Sequence, residues 1–106
     1  MKFSIKREEL ISILSEYTNV LKENPIKPIV SGLQIKAESN IITFVGTNLE
    51  VDHIRKTEAE VKEEGSVVLK PFLLLEYIKL LDEEYIEFIL NNGFITVHQA
   101  EFSILE

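Results

Sequence analysis

The opening of the chain changes hydrophobic period more than once. Met1 to Ile5 reads as a short strand, and from Arg7 the apolar residues Leu10, Ile13, Leu14, Tyr17 and Leu21 recur every three or four positions. That spacing lays one stripe along a helix. Glu8, Glu9, Ser12, Ser15, Glu16 and Asn19 take the opposite side, which predicts an amphipathic helix of about four turns. Glu8 and Glu9 in its first turn and Lys22 near its end suit the helix dipole. Pro25 and Pro28 stop it, because proline lacks the amide hydrogen and clashes with the preceding turn. Alternation then takes over, with Leu33, Ile35 and Ala37 against Gln34, Lys36 and Glu38. Ser39-Asn40 makes a tight turn, Ile41 to Val45 returns, and Gly46-Thr47-Asn48 turns again. Leu49 to about Val61 reads as one longer strand whose pattern slips around His53 and Ile54, as at a bulge.

The pattern then repeats. Ile5-Lys6 recurs as Leu69-Lys70, and Leu10, Ile11, Ile13 and Leu14 recur as Leu74, Leu75, Tyr77 and Ile78, each shifted by 64 residues. After this second helix, Pro71 to Leu81, come Tyr85 to Leu90, the turn Asn91-Asn92-Gly93, Phe94 to His98, and Glu101 to Leu105. A strand, a helix and three strands have been duplicated, with repeat one at about 1–64 and repeat two at about 65–106. The prediction is a single α+β domain over 1–106, two helices on one face of antiparallel sheets.

The second helix is richer in apolar residues than packing on a sheet requires. Between Phe72 and Leu81 only Glu76 and Lys79 are charged, where one stripe would suffice. If Leu74, Ile78 and Leu81 take the core role of Leu10, Leu14 and Tyr17, then Leu73 and Tyr77, with Leu80 beside them, are left over. The terminal strand adds Phe102 and Ile104 on one face near a free sheet edge. These residues either complete the domain's own core or seek a partner.

Composition narrows the class. At 106 residues the chain is one domain by size, long enough to hide about two-thirds of its unfolded surface. Hydrophobic residues at 45% and charged residues at 27% suit a globular fold. No apolar run approaches the roughly 20 residues that span a bilayer and the N-terminus lacks a signal-peptide core, so a cytoplasmic protein is expected. The absence of cysteine excludes disulfides and thiolate metal sites. A formal charge of −7 speaks against nucleic acid as a partner, but it is unevenly spread. Lys6 to Glu23 is net −1 and Lys70 to Asp82 is net zero, which leaves −6 on the other 75 residues and makes the two helices the least acidic segments.

Catalysis is not expected. Glu50, Asp52 and His53 are close in sequence, but on a strand Asp52 and His53 project to opposite faces and the trio does not converge. His98 is isolated and reads as a strand surface residue. There is no glycine-rich phosphate loop, no nucleophile at useful spacing from a base and no paired-carboxylate motif, and neither a metal nor a cofactor is called for.

A more specific reading comes from Met1-Lys2-Phe3, the Pro-x-x-Pro-Ile stretch at Pro25 to Ile29, Gly32-Leu33 and Gly46-Thr47-Asn48-Leu49-Glu50. In order and spacing these resemble the first domain of the bacterial sliding clamp, the DNA polymerase III beta subunit, and the likeness runs from Met1 to Leu105 almost without gaps. The resemblance implies a clamp-like domain forming one sixth of a dimeric ring, part of a processivity factor that encircles duplex DNA without reading its sequence. It implies DNA polymerase III and an ATP-driven clamp loader as partners of the complete subunit, with the peptide pocket in later domains, so that this chain would be an N-terminal fragment of a longer subunit. Tyr77, Phe102 and Ile104 stand where relatives carry head-to-tail ring contacts, and Leu73 joins them although relatives carry a polar or basic residue there. Lys22, Lys27 and Lys79 are the DNA-facing candidates, with Asn24 where many relatives have an arginine. The alternative is an acidic adaptor or inhibitor of clamp fold that binds a protein through Tyr77 and Phe102 without encircling DNA.

Overall fold

The computed structural model describes residues 1–20, 32–47 and 52–104. Along the chain these form β1 (Lys2–Lys6), α1 (Arg7–Val20), β2 (Leu33–Glu38), β3 (Ile41–Thr47), β4 (Asp52–Glu58), β5 (Glu60–Glu63), β6 (Gly65–Leu69), α2 (Pro71–Lys79), β7 (Tyr85–Leu90), β8 (Phe94–Val97) and β9 (Ala100–Ser103). Strand, helix and three strands thus occur twice, with β5 as an addition between the halves. Two antiparallel sheets result, ordered β5-β1-β7-β8-β9 and β4-β3-β2-β6.

The halves exchange their leading strands. β1 pairs with β7 of the second half, Lys2 to Lys6 against Ile89 to Tyr85, and β6 pairs with β2 of the first, Leu69 to Gly65 against Leu33 to Ala37. The cross-half pair Phe3 and Phe88 stacks its rings at 4.7 Å, nearly parallel. Helices α1 and α2 pack together, and their buried residues Leu10, Ile13, Leu14, Leu74, Leu75 and Ile78 share one core with Phe3, Ile5, Ile35, Phe44, Ile86 and Phe88 of the sheets.

Two polar ties supplement this core. The Tyr17 hydroxyl donates to the carbonyls of Phe44, at 2.9 Å, and of His53, at 2.6 Å, fixing α1 to β3 and β4. Burial first, then the Glu16 carboxylate beside it, push the Tyr17 phenol up to about 12. Arg7 opens α1 and caps the end of α2: its Nε donates to the Ile78 carbonyl and its Nη2 to that of Lys79, both at 3.2 Å. A cation there complements the helix dipole.

Three expectations are corrected. The strand expected over Leu49 to Val61 is two strands. β4 keeps regular register with β3 through His53 and Ile54, with no bulge, and the chain breaks at Ala59, after which β5 joins the other sheet beside β1. Leu49 to Val51 lie outside the described residues. His98 is not on a strand: it occupies the turn between β8 and β9 at φ 57°, with Nε2 3.5 Å from a Glu83 oxygen. The core position expected of Leu81 is held by Leu75, while Leu81 is only partly buried.

The Tyr17 tie can be measured. Tyr17→Phe removes the single O–H that the two carbonyls share, and urea denaturation near neutral pH should find it less stable by about 1–2 kcal/mol. Because the folded state holds the proton more tightly, Tyr17's contribution is complete below the ordinary tyrosine value of about 10 and is lost as pH rises towards 12. The gap between the two proteins should therefore narrow over that range. A gap that stays constant up to pH 12 would refute the assignment.

Candidate functional site

The exposed surface of α2 is where the structure departs most from an ordinary domain. Leu74, Leu75 and Ile78 face the core, while Leu73 is 62% exposed, Leu80 81% and Phe72 39%. Leu73, Tyr77 and Leu80 follow one another at i, i+4 and i+7, which places them on one stripe. Tyr77 lies at the inner border of that stripe. Its ring packs on Phe102 of β9 at 5.6 Å with a tilt of 57°, an edge-on arrangement that aromatic quadrupoles favour. Its hydroxyl accepts the Gln99 backbone N–H at 3.3 Å, so α2 is fastened to the β8–β9 turn. Ile104 packs partly buried against the same core.

β9 is also an edge strand: among the described residues β8 is its sole sheet neighbour. Of the four residues expected to form a contact surface, Tyr77 and Phe102 touch, Leu73 stands exposed one helical turn before Tyr77, and Ile104 packs partly buried against the core. Leu80 completes the stripe and carries the larger exposure. The Gln99–Tyr77 bond could not be foreseen, since it depends on a backbone group that any residue would supply.

Among the described residues no comparable basic surface is seen. Lys22, Asn24 and Lys27 lie outside the described residues, and Lys79 is exposed on α2. The low acidity read for the first helical segment counted Lys6 and Arg7 towards it, and the structure reassigns both. Lys6 belongs to β1 and lines a surface cleft with Ser4 and Tyr85, and the Arg7 guanidinium is engaged at the end of α2. What α1 turns outward is Glu8, Glu9, Ser12 and Glu16, the last paired with Arg55 of β4.

Among the described residues no reactive centre assembles. Glu50 lies outside the described residues, and His53 contributes its carbonyl to Tyr17. Among the described residues no three His, Asp or Glu side chains gather as metal ligands. A cleft of about 700 Å³ where β4 crosses to β5 sets Lys6 and Lys56 among Glu9, Glu58 and Glu60. No helix among the described residues is long and apolar enough to cross a membrane.

Comparison with known proteins gives a consistent picture. Residues 1–105 match the family described as DNA polymerase III beta subunit, N-terminal domain. A beta sliding clamp of Mycoplasma capricolum is 32% identical over 98% of this chain, which spans 30% of that relative's length. A beta sliding clamp of Vibrio harveyi is likewise 32% identical over 98% of the chain, covering 74% of the relative. Among solved structures, the DNA polymerase III subunit beta of Pseudomonas aeruginosa superposes with a TM-score of 0.90 over 100% of this chain and 30% of that one, at 23% identity, a likeness of fold.

The exposed stripe and the Tyr77 contact should separate on mutation. Leu73→Ser and Leu80→Ser should each alter the unfolding free energy by less than about 0.5 kcal/mol. Tyr77→Ala strips a ring from Phe102 and an acceptor from Gln99, and should cost about 1–3 kcal/mol by the same urea titration. Equal losses in all three proteins would mean that the leucines belong to the core.

Proposed function

The chain belongs to the DNA polymerase III beta subunit family, where it matches the N-terminal domain, and we propose from that membership that it works as part of a ring around duplex DNA that keeps the replicative polymerase on its template. The observation that carries this reading is the apolar patch of Leu73, Tyr77, Leu80, Phe102 and Ile104 beside the free edge of β9. An edge strand with an apolar flank is a place to continue a sheet into a neighbour. In the proposed ring it docks on a different domain of the next subunit, in a head-to-tail order that closes.

Retention in such a ring is topological. DNA passes through without being gripped, so a domain with few phosphate contacts is compatible with the role, and base-specific contacts would oppose sliding. Of the four DNA-facing candidates Lys79 alone lies among the described residues, exposed on α2. Lys22, Asn24 and Lys27 are proposed to approach the phosphates from the segment after α1. The protein acts without catalysis and without a cofactor, in the cytoplasm. Polymerase and clamp loader are its partners through the complete subunit, and this chain is proposed as that subunit's first domain.

A chimera tests the reading, with residues 1–105 replacing the matching domain of a full-length clamp such as that of Mycoplasma capricolum. Loaded on DNA, the chimera should stay on closed circles and run off linear molecules. Equal loss from both would end the clamp proposal. Introducing Leu73→Asp together with Phe102→Asp should open the ring and abolish the difference. Lys79→Ala should lower the salt dependence of DNA association by about one unit of slope and leave circle retention in place.

A further inference from the structure

Among the described strands the chain passes from one sheet to the other without an intervening helix at Ala59, where β4 gives way to β5, and again at Glu64, where β5 gives way to β6. Both crossings are fastened to the same turn. Ser39 and Asn40 join β2 to β3 at φ 53° and 60°, the left-handed pair that a two-residue type I′ hairpin requires. The hairpin ladder closes at Glu38 and Ile41, so the outward backbone groups of the turn must find partners elsewhere. The Ala59 N–H donates to the Asn40 carbonyl at 3.1 Å, the Val61 N–H to Asn40 Oδ1 at 3.0 Å, and the Ser39 N–H to Glu64 Oε2 at 3.0 Å. Two turn residues thus hold the crossing segment at its start, its middle and its end.

The other attachments of that segment are slight. Glu60, Lys62 and Glu63 are exposed, while Ala59 and Val61 pack only partly buried against the core. β5 borders its sheet beside β1, and the register of that pair shifts between Lys2 and Phe3, where the ladder is locally broken. The ion pair of Glu63 with the Met1 amine is long, at 4.0 Å. A segment with few buried apolar contacts and exposed hydrogen bonds opens before the core does. Its position gives such an opening a consequence. β4 and β9 are the outermost strands of the two sheets, so the angle between the sheets sets the directions in which the two ends of the domain point.

We propose that the Ser39-Asn40 turn is a clasp. Closed, it holds residues 59–64 across the two sheets and fixes the angle between them; open, it lets that segment detach as a unit while the core stays folded. Asn40 is its central residue, because one side chain and one carbonyl secure both Val61 and Ala59. The inference rests on these hydrogen bonds and on the strand order, and is independent of the ring reading.

Amide hydrogen exchange of the 106-residue chain should find Ala59 and Val61 opening together, faster than Ile35 and Phe88 of the core and with only a weak dependence on urea. Asn40→Gly keeps a residue at ease in the left-handed region but removes Oδ1, and exchange at Val61 should quicken about three- to tenfold. Asn40→Asp keeps an oxygen in that place and should restore the slower rate. Exchange of Ala59 and Val61 at the core rate, with the urea dependence of global unfolding, overturns the proposal. The chain has no cysteine, so spin labels at Lys56→Cys and Glu101→Cys, both exposed and one on each sheet, report the angle. Their distance distribution should broaden when Asn40→Gly is combined with Glu64→Ala. A distribution unchanged by that pair of substitutions means that the core alone sets the angle, and the clasp is refuted.

Discussion

The exchange of β1 and β6 between the two halves is the constraint from which the rest follows. Each sheet takes one strand from the other repeat, so neither half can complete its hydrogen bonding or cover its helix alone. Phe3 stacked on Phe88 lies at that exchange, and the two helices meet above a single core instead of two small ones. For a chain of this length without disulfides, sharing one core is the efficient arrangement, because the buried fraction of surface rises with the size of the unit. It also makes the two ends of the domain near-equivalent in shape, each closed by an edge strand and a helix flank.

Shape equivalence leaves chemistry free to differ. At one end Leu73, Tyr77 and Leu80 line the helix flank, and at the other Glu9 and Glu16 occupy the matching positions, with Ile13 in the core. A duplicated fold whose two helix flanks differ in this way yields a directional building block, with exposed leucines on one flank and carboxylates on the other. Directionality is what a closed head-to-tail ring demands of its parts.

Charge follows a parallel logic. Polar groups with defined partners tie the elements together: Tyr17 to the carbonyls of Phe44 and His53 within the first half, and Arg7 to the end of α2 in the second. A basic residue used in this way no longer contributes a free cation to the surface. Local net charge along the sequence consequently overstates how welcoming the helical face is to phosphate, and the described part of that face carries more carboxylates than free ammonium groups. A ring that retains DNA by enclosure tolerates this, where a protein that held DNA by affinity would not.

Periodicity alone determined the two amphipathic helices, the alternating strands around Ser39-Asn40, the duplication and the surplus of apolar residues on α2, because each is a local matter of which side chains share a face. The motifs from Pro25 to Glu50 carried the family. Tertiary structure decided what depends on contacts between distant segments: the exchange of β1 and β6, the division of one expected strand into β4 and β5 at Ala59, and the turn position of His98. It also decided that Leu75 and not Leu81 fills the core, and that Leu80 joins the exposed stripe. A strand's hydrophobic pattern states that it must pair and which face it buries, but not with which partner. That choice is made by the geometry of the whole chain closing on one core, and no window of sequence contains it.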